Sequence, residues 1–164
     1  MDPENAQPAE SRPPTLTDLL LLCRSLNQAD ARYLVVGGFA VNQHGMGRAT
    51  MDIDLLVDGS PENQARVKKA LEVLPDKAVR ELGEDELRNY LVVRVCDEVV
   101  VDLMLSACGI TYAEAAPDIQ TFIIDGVSIP FASPELLLRT KRTVRPRDAE
   151  DRLFLEDKIR RRAP

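Results

Sequence analysis

The sequence has little of what histidine-based metal centres, disulfide scaffolds and membrane spans require. It contains one histidine, His44, which excludes a metal site built from several histidines. Its three cysteines, Cys23, Cys96 and Cys108, have no metal-binding spacing, and two of them lie in apolar runs, so we expect reduced, buried thiols. No apolar run approaches the roughly 20 residues of a membrane span, and the acidic, proline-containing N-terminus is not typical of a signal peptide. These absences predict a cytoplasmic protein without membrane contact.

The length and the order of apolar patterns predict one α+β domain. A chain of 164 residues is long enough to bury a substantial core. Residues 1–14 contain four prolines and no apolar periodicity, so we expect a disordered tail there and a single domain over residues 15–164. A first helix is expected over Leu19–Leu26, and C-terminal helices are expected from about residue 134. Between them, short apolar runs alternate with helix starts, which predicts a mixed β-sheet with flanking helices and a helical C-terminal segment.

The most informative stretch is residues 51–57, in which two carboxylates alternate with apolar residues before a purely apolar run. In an extended strand Asp52 and Asp54 share one face, while Ile53 points to the other. Two carboxylates this close repel each other unless a cation lies between them or one of them holds a proton. A hard divalent cation with oxygen ligands, Mg²⁺ or alternatively Mn²⁺, is the simplest occupant. Taken alone, the pair is equally compatible with a solvated strand edge or a helix cap.

A glycine pair lies just upstream, between a strand and a helix. Tyr33–Val36 reads as a short buried strand that ends at Gly37-Gly38, and residues 39–44 continue with helical spacing. Glycine lets a phosphate approach the backbone closely, and a helix N-terminus presents free N–H groups. A phosphate cradle is therefore expected, in which any side chain at Gly38 would obstruct the phosphates. A simple tight turn is the open alternative.

A third carboxylate, Asp102, is the only charge within the apolar run 99–105. This run and residues 91–96 read as two strands joined by a hairpin turn at Asp97-Glu98. An unpaired charge buried in such a strand costs several kcal/mol. A metal ion shared with the upstream carboxylate pair removes that cost. Pairing with an arginine at the strand end is the alternative.

Three features, in this order, resemble the nucleotidyltransferase superfamily that includes DNA polymerase beta: Gly37-Gly38, Asp52-x-Asp54 and Asp102. The sequence around the first two is similar to sequences of a small bacterial branch that includes minimal nucleotidyltransferases and AbiE-type abortive-infection toxins. The resemblance is good over about residues 31–105. One difference is that Gly38 replaces a serine often found there, which leaves main-chain N–H groups alone to hold a terminal phosphate.

The resemblance implies Mg²⁺-dependent transfer of a nucleoside monophosphate from a nucleoside triphosphate to an acceptor hydroxyl. The acceptor would be a small molecule, a protein or a tRNA end, and a cognate partner protein is also possible in this branch. Metal binding and catalysis are implied for Asp52, Asp54 and Asp102. Arg48 and Thr50 precede the carboxylate pair and are placed to reach the phosphates, together with Gly37 and Gly38. Lys141 and Asp148 resemble the Lys and Arg-x-Asp motifs of the toxin-like branch and are also expected to bind substrate.

The charge distribution is uneven. Residues 139–162 contain ten Lys or Arg and five Asp or Glu, so they carry +5, whereas the whole chain carries −6 and the remainder therefore −11. A basic segment of this kind suits a triphosphate clamp, an RNA-docking surface or a solvated helix with ordinary ion pairs. His44 has two open interpretations, a phosphate contact or a structural residue at the helix end.

Two other functions remain open. The first is a non-catalytic nucleotide- or partner-binding member of a toxin–antitoxin-like pair, although no carboxylate of the motif is missing. The second is a metal-dependent glycosyltransferase, whose Asp-x-Asp binds a nucleotide sugar. That class usually needs a longer chain, and the Gly-Gly pair after the first strand argues against it.

Overall fold

The computed structural model describes residues 10–162 and has a six-stranded sheet with helices packed on it. The helices are α1 (Leu16–Gln28), α2 (Gly37–Gln43), α3 (Pro61–Leu71), α4 (Glu86–Asn89), α5 (Tyr112–Ala115), α6 (Pro134–Thr140) and α7 (Pro146–Arg162). The strands are β1 (Tyr33–Val36), β2 (Asp52–Val57), β3 (Val93–Cys96), β4 (Val100–Met104), β5 (Ser106–Ala107), β6 (Ile110–Thr111), β7 (Ile119–Ile124) and β8 (Val127–Ala132). Short 3-10 turns lie at Ala78–Glu81 and Ala116–Asp118.

The main sheet is mixed, with the strand order β3-β4-β2-β1-β8-β7. Strand β2 pairs in parallel with β4 and antiparallel with β1, and β1 pairs in parallel with β8. The outer pairs, β3 with β4 and β7 with β8, are antiparallel hairpins, while β5 and β6 form a separate two-stranded sheet. The predicted α+β fold with a mixed sheet and a helical C-terminal segment is confirmed.

Local sequence signals account for most helix starts. Helix α1 begins at a capping box, in which the Thr15 side chain accepts from the Asp18 N–H and the Asp18 carboxylate accepts from the Thr15 N–H. The side chains of Ser60 and Ser133 cap α3 and α6 by accepting from one N–H of the first turn, and each serine is followed by a proline at the first helical position. These caps satisfy N–H groups that the helices themselves leave without partners.

The core lies between the sheet and its helices. All four residues of β1 are buried, and β2 buries Ile53 and its last three residues. Helix α1 contributes a stripe at helical spacing, with Leu19, Leu22 and Leu26 almost fully buried. This leaves the polar ends of the central strands free to carry a site at the edge of the core.

The N-terminal segment is anchored earlier than the sequence suggests. Residues 1–9 of the predicted tail lie outside the described part of the chain. Ser11 Oγ donates to the Asp97 carbonyl at 2.6 Å, and the Arg12 N–H donates to the Glu98 carbonyl at 2.9 Å. The chain therefore docks on the β3–β4 connection before α1 begins.

The cysteine prediction was wrong for two of the three thiols. Cys23 is buried in α1, but Cys96 and Cys108 are exposed, and all three are free. Cys96 lies on β3, where Val93 and Val95 point inward and the alternating positions point to solvent.

In residues 10–162, no helix combines the length and apolar character needed to cross a membrane.

Candidate active site

The three predicted carboxylates come together at the centre of the sheet. Parallel pairing of β2 with β4 places Asp54 directly opposite Asp102, and Asp52 lies two residues earlier on the same face of β2. One carboxylate oxygen from each residue lies within 4.8 Å of the others. This carboxylate triad can therefore share a single cation.

The electrostatics of the triad are those of a site that needs positive charge. Burial, followed by the charges of Asp52 and Asp102, raises the pKa of Asp54 to about 8 from its ordinary 3.8. Burial and the neighbouring Asp102 also raise the pKa of Asp52. Three crowded carboxylates, of which Asp52 and Asp54 resist ionisation without a counter-charge, fit a hard divalent ion such as Mg²⁺ or Mn²⁺.

Arg94 supplies a counter-charge that the sequence analysis did not identify. Its Nε lies 2.9 Å from Asp102 Oδ1, and one terminal nitrogen lies 3.0 Å from Asp102 Oδ2 and 3.2 Å from Asp52 Oδ2. The structure therefore contains both the arginine partner of Asp102, which was the alternative interpretation, and the carboxylate triad.

The loop between β3 and β4 explains why Arg94 was missed. A two-residue turn at Asp97-Glu98 would have placed Arg94 opposite Val101, whereas the observed loop has three residues and pairs Arg94 with Asp102. The expected turn was therefore one residue too short, and the extra residue shifts every cross-strand pair between β3 and β4. The buried Asp97 carboxylate stabilises the longer loop, because it accepts from its neighbour's N–H and from two N–H groups before and within the Ala78–Glu81 turn.

The glycine pair forms the first turn of α2 rather than a turn before it. Gly37 has φ +68°, and a Cβ there would lie 2.0 Å from Asp54 Oδ2. A Cβ at Gly38 would lie 2.6 Å from Thr50 Oγ1. The packing of the protein itself therefore already requires glycine at both positions, in addition to any need for phosphate access.

Arg48 and Thr50 lie in the loop that leads into β2. Thr50 Oγ1 donates to the Asp52 carbonyl at 3.1 Å and covers Gly38. Arg48 forms a forked ion pair with Asp151 of α7, with both N···O distances at 3.0 Å. This pair connects the strand that carries the triad to the C-terminal helix.

Lys141 and Asp148 belong to a buried ionic cluster at the start of the C-terminal segment. Lys141 Nζ lies 3.1 Å from Asp151 Oδ2 and 3.4 Å from Asp148 Oδ1. Asp148 also accepts from Arg145 at 3.0 Å and from the hydroxyl of Thr143. Burial opposes ionisation of Asp148, but Thr143 and the two cations outweigh it and lower its pKa. Asp148 therefore orients cations, and Asp151, which the sequence analysis overlooked, has the same role.

The burial of this cluster predicts that Lys141→Ala destabilises the protein. The substitution leaves two buried carboxylates with one cation fewer, although Arg48 and Arg145 remain. We expect a loss of about 1–3 kcal/mol in the free energy of unfolding, measured by urea denaturation. Lys158→Ala, on the far part of α7, is the matched control and should change stability by less than about 0.5 kcal/mol. Equal stability of the two variants would contradict a structural role for Lys141.

All nine predicted site residues line one cavity of about 980 Å³. The triad lines this cavity, and four further lining residues, Arg48, Lys141, Arg145 and Arg147, form what we call its cationic wall. Apolar residues also line it, among them Leu91, Val92, Met104 and Ala107. A cavity of this size accommodates a molecule as large as a nucleotide.

His44 is not part of this cavity. It is buried, and its Nε2 lies 2.8 Å from the Ala132 carbonyl, to which it donates. Its ring also makes an edge-to-face contact with Phe122. Of the two interpretations of His44, the structure agrees with the structural one.

The chain matches a known family in sequence and known proteins in fold. The profile of the family described as nucleotidyl transferase AbiEii toxin, type IV TA system, matches residues 20–148. None of the curated proteins matches the chain by sequence at a significant level.

Three solved structures have a similar fold at low sequence identity. A protein described as a nucleotidyltransferase from Thermotoga maritima aligns with TM-score 0.55 and 16% identity, over 90% of this chain and 93% of that chain. An antigenic nucleotidyltransferase-like protein from Paracoccidioides brasiliensis gives 0.54 and 16%, over 90% and 76%. The antibiotic-resistance factor ANT(2'')-Ia gives 0.50 and 14%, over 88% of each chain. Because the family profile covers most of the sequence and these folds agree with it, the chain is a nucleotidyltransferase that belongs to the AbiEii toxin family.

Proposed function

We propose that the protein transfers a nucleoside monophosphate from a nucleoside triphosphate to an acceptor hydroxyl, with Mg²⁺ or Mn²⁺ as cofactor. The observation that carries this proposal is the carboxylate triad in a cavity that also has a cationic wall. Asp52, Asp54 and Asp102 would hold the metal. A bound divalent ion supplies neutralisation of charge on the triphosphate and on the reacting oxygens.

The chemistry required of the chain is positioning and proton transfer. The acceptor oxygen forms a bond to the α-phosphorus while the bond from that phosphorus to the bridging oxygen breaks, and pyrophosphate leaves. Asp102, on the strand next to the other two carboxylates, would accept the hydrogen bond of the acceptor hydroxyl and take its proton. The low-dielectric surroundings of the triad strengthen these charge interactions.

The cationic wall would bind the triphosphate, with its members in different roles. Lys141 and Arg48 are already bonded to buried carboxylates, so they contribute a fixed positive potential. Arg145 is also bonded to a buried carboxylate, Asp148, whereas the exposed side chain of Arg147 faces the same cavity and is free enough to approach the phosphates. The main-chain N–H groups at Gly37 and Gly38 would hold the terminal phosphate, since Val36 provides no side-chain cap for α2.

Membership of this family supports two further proposals, one about the acceptor and one about a partner protein. We propose a cytoplasmic protein whose acceptor hydroxyl belongs to a small molecule, a protein or a tRNA end. The family description includes a toxin of a type IV TA system, which supports a toxic transfer reaction and a cognate antitoxin as partner. A non-catalytic binding role is the alternative that the experiment below separates.

Label transfer tests the proposal. We would incubate the protein and Mg²⁺ with each α-³²P-labelled nucleoside triphosphate, in the presence of either a cell lysate or a tRNA pool. Transfer of label to an acceptor is expected for the parent and for Asp125→Asn, whose change lies in the β7–β8 turn. Asp54→Asn should transfer no label. If the parent binds a nonhydrolysable nucleotide but transfers no label to any acceptor, the non-catalytic alternative is correct.

A further inference from the structure

Arg94 bonds two of the three carboxylates that the proposed metal site requires. Its guanidinium bonds both oxygens of Asp102 and one oxygen of Asp52, so Asp54 is the triad member without a bond to Arg94. The Arg94 side chain is 58% exposed. Because so much of it faces solvent, the carboxylates rather than close packing hold it in place.

A divalent ion and this guanidinium cannot both use the triad in the observed arrangement. Each carries positive charge, and at hydrogen-bonding distance from the same two carboxylates they would repel each other. We therefore expect an ion bound to Asp52 and Asp102 to displace the forked bonds of Arg94. Metal binding and the Arg94 ion pairs compete directly.

The structure contains a second acidic location within reach of Arg94. A neighbouring cleft of about 250 Å³ is lined by Arg94 itself and by Glu81 and Glu86. These glutamates belong to the segment that lies over β3, in the Ala78–Glu81 turn and at the start of α4. Arg94 is thus the one side chain that lines both this cleft and the large cavity in the described part of the protein.

We propose that Arg94 is a displaceable counter-ion, which neutralises the triad without metal and moves to the Glu81–Glu86 cleft when a divalent cation binds. Arg94 is then a positioning residue, because it acts through the metal ligands and sets the affinity for the cation. This proposal rests on the metal site of the proposed function. The acidic cleft lowers the cost of releasing the guanidinium, because the guanidinium leaves the carboxylates of the triad and pairs with those of the cleft.

Binding and unfolding measurements with Mn²⁺ alone test this role without any measurement of activity. Calorimetry should show that Arg94→Gln binds Mn²⁺ about three- to tenfold more tightly than the parent, as expected for loss of a competing exposed ion pair. Arg94→Lys keeps the charge but cannot form the forked bonds, so an intermediate affinity is expected. In EDTA, Arg94→Gln should melt at a lower temperature than the parent. In saturating Mn²⁺ this difference should be much smaller, because Arg94 of the parent has left the triad and keeps only exposed contacts with Glu81 and Glu86.

The cleft is tested by the Glu81→Gln and Glu86→Gln double variant, with Glu84→Gln, exposed in the same segment, as the control. Introduced into the parent, the double substitution should weaken Mn²⁺ binding by about threefold. Introduced into Arg94→Gln, it should leave Mn²⁺ binding unchanged. If the parent binds Mn²⁺ and Arg94→Gln has the same affinity, or if the melting deficit of Arg94→Gln is as large in saturating Mn²⁺ as in EDTA, the role of Arg94 is wrong while the metal site stands. If neither protein binds Mn²⁺, the metal site and this proposal both fail.

Discussion

Asp54→Asn is expected to remove most Mn²⁺ binding while raising the stability of the metal-free protein. The Asp54 carboxylate is buried beside Asp52 and Asp102, and without a metal its charge has an unfavourable environment that raises its pKa to about 8. An asparagine of nearly the same shape carries no charge, so it removes both the repulsion and a metal ligand. A residue that destabilises the fold in this way and is needed for binding is typical of an active site.

The sign of this effect follows from the protons bound in each state. Between pH about 4 and pH about 8 the unfolded protein has Asp54 ionised, whereas the metal-free folded protein keeps it protonated. The unfolded state therefore binds fewer protons, and the free energy of unfolding falls as the pH rises through this window. The stabilising contribution is complete below pH about 4 and lost above pH about 8. We expect Asp54→Asn to be more stable than the parent by roughly 2–4 kcal/mol at pH 8, with a smaller difference at pH 5.

Urea denaturation in EDTA at both pH values measures this difference, and calorimetry with Mn²⁺ measures the loss of binding. Asp125→Asn is the control, because it makes the same chemical change in an exposed turn far along the chain. A pH dependence of stability that is the same in Asp54→Asn and in the parent would show that another group is responsible. Full Mn²⁺ binding by Asp54→Asn would exclude a metal site shared by the triad.

Gly37→Ala is expected to cause the second large effect, a loss of both stability and metal binding. The backbone at Gly37 has φ +68°, which costs roughly 1–2 kcal/mol for a residue with a side chain. A Cβ would also lie 2.0 Å from Asp54 Oδ2, so the carboxylate or the first turn of α2 must move. We expect a total loss of about 2–4 kcal/mol in the free energy of unfolding and at least tenfold weaker Mn²⁺ binding.

Gly126→Ala separates the two contributions. Gly126 has φ +78°, close to that of Gly37, but a Cβ there would meet nothing within 4 Å. This control should lose only the backbone contribution and should bind Mn²⁺ as the parent does. If Gly37→Ala resembles Gly126→Ala in both measurements, the contact between α2 and the triad has no influence on the site.

Periodicity and local caps allowed much of the fold to be predicted from the sequence. The alternation in residues 51–57 is sufficient to place Asp52 and Asp54 on one face of β2, since successive side chains in a strand point to opposite sides. The Ser-Pro starts of α3 and α6 and the Asp125-Gly126 turn between β7 and β8 are equally local. Such features depend on a few neighbouring residues, so a sequence determines them without reference to the rest of the chain.

The exact ion pairs of the site depend on tertiary structure. Asp102 meets Arg94 because a loop of three residues, rather than two, sets the register of β3 against β4. Arg48 meets Asp151 across 103 positions of sequence because α7 packs against α6 and returns to the loop before β2. The sequence by itself therefore determined the strands, the helix caps and the family motif that identifies the carboxylates. Only the packing of distant elements decided which cations neutralise those carboxylates, because register and helix docking are set by the whole core and not by neighbouring residues.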